Sequence, residues 1–258
     1  MNRKIPILLY HRVGERDGSF MDEYTVSPES FRLQMEWIHR HDWKPIALEN
    51  VVGERISEAP EHVLVITFDD GFASNRVHAW PILDNYAFPS ATFLVADRLG
   101  SRNLWDGPGR DQYWLLSHED LRGANSQLMS FHSHSLTHPD LPLLEQDAVR
   151  REIEESRKAI SRYRGSGSFF AYPFGAWNQQ VVVEVRQAGY SGACTCIEGL
   201  NSEDTDPFLL RRVEIREADL GWRFWLKLKT GHDFSAYKDR VNKLRGWLRK
   251  RTLIISGN

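Results

Sequence analysis

The sequence predicts a single α/β domain in which strands alternate with helices, as a barrel requires. Three observations point there. Residues 63–68, Val-Leu-Val-Ile-Thr-Phe, are apolar and β-branched and read as a strand buried on both faces. Segments of helical periodicity separate this run from further short apolar runs. A length of 258 residues suits one α/β barrel and is enough to bury a substantial core. With no internal repeat or low-complexity linker, one domain is expected. The barrel is placed over residues 1–234, and a basic stretch, 235–258, is either part of it or a peripheral docking segment.

The elements follow in order. The first strand is Ile7-Leu8-Leu9-Tyr10, leading to His11. Ser27-Pro28-Glu29 supplies an N-cap and a first-turn proline for a helix in which Phe31, Met35 and Ile38 keep helical spacing. The strand at 63–68 ends on Asp69-Asp70; a helix is expected over 73–86 and a third strand over 91–95. Residues 100–114 form a polar, glycine-bearing insertion of the kind that collects substrate contacts beyond barrel strands. Ser117-His118-Glu119-Asp120 starts a short helix ahead of a strand at 128–131. A charged amphipathic helix over 145–163, a strand at 169–172 and a helix over 179–188 complete the series. Residues 209–215 read as a last strand.

The chemistry concentrates at strand ends. A buried strand that terminates in Asp69-Asp70 is electrostatically costly unless the charge is compensated, and a metal ion does that well. Gly71 lets the backbone turn there. Beyond the 128–131 strand, His134 and His138 stand four apart, and Pro139 discourages a continuing helix, so the pair is placed on a loop or single turn. One Asp and two His with open positions is the pattern of a hydrolytic Zn2+-type ion, not of a closed structural site. Surface histidines beside an ordinary acidic turn are the plainer alternative. The Asp-Asp strand end favours the metal.

Thr67-Phe68-Asp69-Asp70-Gly71, then His134-Ser135-Leu136-Thr137-His138-Pro139, then Phe170-Ala171-Tyr172-Pro173-Phe174-Gly175 resemble, in order and spacing, the polysaccharide deacetylases (carbohydrate esterase family 4, the NodB-homology domain). The resemblance runs from about residue 5 to residue 213. It implies a distorted (β/α)7-type barrel and a metal-dependent hydrolase that removes acetyl groups from N-acetylated, or O-acetylated, sugars, acting on carbon–nitrogen bonds other than peptide bonds. It implies Asp69 as catalytic base and Asp70, His134 and His138 as ligands of one divalent ion, Zn2+ first, with Co2+ and Ni2+ as alternatives. Tyr172, Pro173, Phe174 and Gly175 match the segment that lines substrate and supplies an oxyanion-binding N–H.

Two departures matter. Most members supply a catalytic acid from a Leu-x-His strand near the C-terminus, and Gly231-His232-Asp233 follows a basic, helix-like stretch instead. The matching pattern, Leu9-Tyr10-His11, lies on the first strand, as in the circularly rearranged exopolysaccharide deacetylases, so His11 is the candidate acid; a strand-end histidine bonded to a loop is the alternative. Many members also carry an arginine at the position of Ala171 that orients the catalytic Asp. Arg211 or Arg212 can replace it, since alternation lets only one of them point inward. Arg212 is carried as the candidate, although both fit equally well as solvated groups. His132 stands where the family has glycine, and reads as a packed or solvated histidine.

Composition bounds the rest. Hydrophobic residues at 41% and charged residues at 26% are ordinary for a globular protein, and a net charge of −2 gives no reason to expect nucleic acid. Cys194 and Cys196 are too close in sequence to bridge easily and read as inert packing. Nine tryptophans suit a carbohydrate partner; Trp105, Trp114 and Trp177 are candidate stacking platforms, each with core packing as its alternative. The basic start, Met1-Asn2-Arg3-Lys4, leads into too short an apolar run for a signal peptide, and no run approaches the ~18 residues of a membrane span. A cytoplasmic location is expected. Residues 235–251 carry seven basic residues against one acidic, with Tyr237, Val241, Leu244 and Leu248 at helical spacing. That suits docking on an anionic membrane face or a biosynthetic partner, or a terminal helix with a solvated basic face. Two other functions stay open, hydrolysis of a non-carbohydrate linear or cyclic amide, and a catalytically quiet carbohydrate-binding homologue.

Overall fold

The computed structural model describes residues 3–52, 55–107, 113–163 and 167–233. The basic segment 235–251 lies outside the described residues.

Among the described residues ten strands form: β1 (Ile7–Tyr10), β2 (Arg12–Val13), β3 (Thr25–Val26), β4 (Lys44–Pro45), β5 (Val63–Phe68), β6 (Ser90–Leu94), β7 (Met129–Ser133), β8 (Phe169–Ala171), β9 (Gly192–Cys194) and β10 (Val213–Glu214). Eight of them make one parallel sheet in the order β10-β1-β5-β6-β7-β8-β9, with β4 also on β5; β2 and β3 pair separately. Beyond β9, Leu210 N–H donates to Ala193 O, Thr195 N–H to Leu210 O and Arg212 N–H to Ile197 O, at 2.9, 2.9 and 3.0 Å. The chain then runs into β10 beside β1, so the sheet curls into a distorted barrel.

The helices are α1 (Pro28–Arg40), α2 (Arg55–Glu58), α3 (Ser74–His78), α4 (Trp80–Tyr86), α5 (His118–Gly123), α6 (Gln146–Ile160), α7 (Gln179–Gln187) and α8 (Trp222–Thr230). Ser27 caps α1 by accepting from Ser30 N–H, as its sequence predicts. The helix expected over 73–86 is instead two, meeting at Ala79. Pro81 has no N–H to continue the ladder of α3, and it occupies the first turn of α4 where that loss costs little. The strand expected at 209–215 is likewise shorter, because residues 210–212 bond back to 193–197 before β10 begins.

Two apolar layers follow from the two-residue side-chain period of strands. Ile7, Val65, Ala91, Phe93, Phe169, Ala171 and Cys194 fill the barrel interior. Leu8, Tyr10, Leu64, Ile66, Phe68 and Val213 face outward against Phe31, Met35 and Ile38 of α1 and Phe224 and Leu228 of α8. The inward parity, carried past the last interior apolar residue of each strand, reaches the barrel mouth. Leu9 and His11 continue Ile7; Thr67 and Asp69 continue Val65; His134 continues Ser130 and His132.

Candidate active site

The two acidic neighbours of β5 face different ways. Asp69 follows the strand end, its N–H donating to Tyr10 O at 2.9 Å, and its side chain enters the barrel. Asp70 and Gly71 then take positive φ of 69° and 78°, which turns the chain and aims the Asp70 carboxylate across the mouth. Glycine suits position 71, where φ is positive and a Cβ would sit 2.6 Å from Leu94 Cδ2 and displace it. Positive φ recurs in non-glycine residues at Ser135 (62°), His138 (67°) and Phe174 (57°), all around this opening. Such backbone strain collects where surrounding contacts hold a functional geometry.

His134 and His138 meet Asp70. Their Nε2 atoms are 3.2 Å apart and lie 3.5 and 3.4 Å from Asp70 Oδ1. His134 Nδ1 donates to Ala171 O at 2.9 Å, which leaves the Nε2 lone pair directed at the centre of the triangle. Neighbouring donors around a tetrahedral Zn2+ with bonds of 2.0–2.1 Å stand about 3.3 Å apart. The three atoms therefore fit one ion, with a fourth position open. Burial works against charge on Asp70, but the adjacent His134 and His138 rings outweigh it and hold its carboxyl well below the usual carboxylate range.

Asp69 lies beside this group, Oδ2 being 4.0 Å from His134 Nε2, and its own partner is Arg212. The guanidinium is bidentate, with both N–H···O distances at 2.7 Å. Its Nε donates to Thr195 O at 2.9 Å and one terminal nitrogen to Thr67 Oγ1 at 3.3 Å. Both residues are buried, at 1% and 2% exposure. Burial opposes the Asp69 charge, and the Arg212 charge overcomes it, so the carboxyl stays below its ordinary range. Arg211 takes the opposite parity and bonds Glu198 O at the surface.

His11 stands at the mouth, half-buried, its ring 5.2 Å from that of Tyr24. The buried Asn75 amide fixes the turn around it, donating to His11 O at 2.8 Å and accepting from Val13 N–H at 2.7 Å. Asp69, Asp70, His11, His134, His138 and Arg212 share one cavity of about 360 Å³.

The third motif divides. Tyr172 reaches the cavity but sends its side chain outward, where its hydroxyl donates to Phe208 O at 3.0 Å. Phe174 is 60% exposed and packs edge-on against His138 at 4.5 Å. Gly175 is pressed against Cys196, a Cβ there coming within 2.7 Å of it. Tyr172, Gly175 and Ala176 N–H donate to Cys194, Tyr172 and Pro173 carbonyls, leaving the Phe174 N–H without an acceptor among the described residues.

Several expectations shift. Pro173 and Trp177 do not line the cavity; Trp177 packs half-buried on the Val181 and Tyr172 cluster, because its segment already leads into α7. Trp114 is 56% exposed under the Arg102 guanidinium, away from the mouth. Trp105 does line it, stacked 4.6 Å from His138. Cys194 is buried packing, whereas Cys196 is exposed and borders the cavity. His132 is fully buried one layer below His134, between Phe93 and Phe169, and burial pushes its pKa down to about 3. Asn75, Tyr24 and Glu152, which carry no motif signal, shape the site from outside the three motifs.

A family model described as polysaccharide deacetylase matches residues 57–193, more than half of the chain. The chain belongs to the polysaccharide deacetylase family. Members are hydrolases acting on carbon–nitrogen bonds other than peptide bonds. A poly-β-1,6-N-acetyl-D-glucosamine N-deacetylase of Staphylococcus epidermidis is 25% identical over 231 residues, covering 80% of this chain and 77% of that protein. The Streptococcus pyogenes deacetylase PplD, solved with acetate, shares the fold with a TM-score of 0.76 at 22% identity, over 88% of this chain and 99% of that one. IcaB from Ammonifex degensii matches with a TM-score of 0.72 at 20% identity, over 84% and 94% of the two chains. Among the described residues of this deacetylase-family chain, no helix is long and apolar enough to cross a membrane.

Proposed function

We propose that the chain is a metal-dependent deacetylase of N-acetylated sugars, with polymers of N-acetylglucosamine as the first substrate to test. The observation that carries this reading is the convergence of Asp70, His134 and His138 donor atoms at 3.2–3.5 Å beside an Asp69 held by Arg212. The name of the Staphylococcus epidermidis relative supports the choice of sugar. Asp70, His134 and His138 would hold a divalent ion, which would supply Lewis acidity for activating water and polarising the acetyl carbonyl. Asp69 accepts the proton of the attacking water, and the Arg212 fork keeps that carboxylate ionised and aimed. The free Phe174 N–H donates to the oxyanion that develops on the carbonyl. His11, across the cavity, gives a proton to the departing sugar amine. Trp105 offers a ring face at the mouth for a sugar. The Arg212–Asp69 pair favours an active enzyme over a quiet binding homologue, since it fills the orienting role that Ala171 cannot.

Dialysis against a strong chelator should abolish acetate release from N-acetylglucosamine oligomers, and Zn2+ or Co2+ should restore it. Activity that survives complete metal removal, or acetate release confined to simple amides, rejects this function. A second expected result isolates His11. His11→Ala should slow deacetylation of an N-acetyl sugar by about 10²-fold or more, yet leave hydrolysis of p-nitrophenyl acetate within several-fold, because that leaving group departs without a proton. Equal losses on both substrates would remove His11 from the role of acid.

A further inference from the structure

We infer that Glu152, on α6 and outside all three motifs, is a positioning residue that sets the His134–His138 turn for metal binding. This rests on reading Asp70, His134 and His138 as the ligand set. The turn is short and strained, with Ser135 and His138 both at positive φ, and it is braced internally by His138 N–H donating to Ser135 Oγ at 2.9 Å. Further polar groups of the turn are held from two sides. On one side, Ala96 and Asp97 N–H donate to the carbonyls of Ser135 and Leu136, at 3.1 and 2.9 Å. On the other, Glu152 Oε2 accepts both Leu136 and Thr137 N–H at 2.9 Å, and Oε1 accepts the Thr137 hydroxyl at 2.7 Å.

The clamp is rigid because its base is rigid. α6 is a 15-residue helix whose Val149, Ile153, Ser156 and Ile160 are buried against the barrel, so the carboxylate is presented from a fixed axis. Glu152 touches no ligand atom and acts only through the backbone between the two imidazoles. Water can replace each of its hydrogen bonds singly, but it cannot hold three donors in one fixed relation. Without the clamp, the left-handed residues relax and the two Nε2 atoms lose their 3.2 Å separation before an ion arrives. Supports of this kind behind metal ligands typically change affinity 10–100-fold when removed.

The test uses metal-free full-length protein titrated with Co2+, followed by visible absorption, alongside thermal unfolding without metal. Glu152→Ala should weaken Co2+ binding about 10–100-fold and alter the absorption band that reports coordination geometry. Glu152→Gln should stay within about 3-fold of the parent, since its amide oxygen accepts the two N–H groups and its amide nitrogen donates to Thr137 Oγ. Should the alanine variant fail to fold, Glu152→Met fills the same space without an acceptor and carries the same expectation. An alanine or methionine variant that binds Co2+ within twofold of the parent overturns the clamp, even if it melts lower. A parent chain that takes up no Co2+ overturns instead the metal reading on which the clamp depends.

Discussion

Asp69→Asn is expected to lower turnover of N-acetylated oligosaccharides by about 10³-fold or more while the protein keeps its metal. The reason lies in how the site divides its carboxylates. Asp70 Oδ1 stands with the two imidazoles, whereas both Asp69 oxygens are engaged by Arg212. Asparagine leaves the three ligand atoms untouched and removes the group that accepts a proton. It also turns an amide N–H toward the buried guanidinium, so some loss of stability accompanies the kinetic loss, on the order of 3–5 kcal/mol for a broken buried pair. Assays therefore belong well below the melting temperature of the variant, with metal content measured on the same sample. Turnover within tenfold of the parent would show that Asp69 is not the base. Loss of metal together with activity would place Asp69 among the ligands instead.

How much of this site was legible in the sequence depends on which side-chain period was visible. Asp69, Asp70, His134 and His138 were marked by position, at the ends of runs that only a buried strand explains, and their convergence followed from the barrel. The N-cap at Ser27 was equally local. Arg212 was not decidable against Arg211, because both parities of 209–215 mix apolar and charged residues and so neither marks the inward face. The structure decides it through Val213 and Ile215, which pack outward on α1 and α8 and so turn Arg212 inward. Pro81 was a missed signal of a local kind, a helix break read as continuous. Glu152 and Asn75 left no trace at all. Each acts by bonding a backbone segment far from it in sequence, and an isolated acid or amide on a helix carries no mark of that. Trp177 shows the converse. An aromatic residue beside a motif fits a platform or core packing equally in sequence, and its chain direction into α7 commits it to packing.

Arg212→Met is expected to destabilise the fold through the same buried pair, and its pH dependence identifies the cause. At pH 7 the variant leaves the Asp69 carboxylate buried next to Asp70 without its guanidinium partner, which costs on the order of 3–5 kcal/mol. In the parent, the folded pKa of Asp69 lies below its unfolded value, for burial is outweighed by the Arg212 charge. The ion pair therefore contributes its stability above the unfolded pKa of about 3.9 and loses it as pH falls through the lower folded value. In the variant the burial effect stands unopposed by that charge, so the carboxyl protonates more readily when folded and the penalty fades on acidification. The stability gap, measured by urea unfolding of metal-free protein, should accordingly be wide at pH 7 and narrow toward pH 4. A gap of equal size at both pH values would mean that methionine merely packs badly. Arg212→Lys separates charge from geometry. It restores part of the pH dependence with a point charge, but one ammonium cannot hold both Asp69 oxygens at 2.7 Å, so turnover should stay depressed by about 10-fold or more. Stability recovered without turnover would assign the planar fork, rather than the positive charge, to aiming the base.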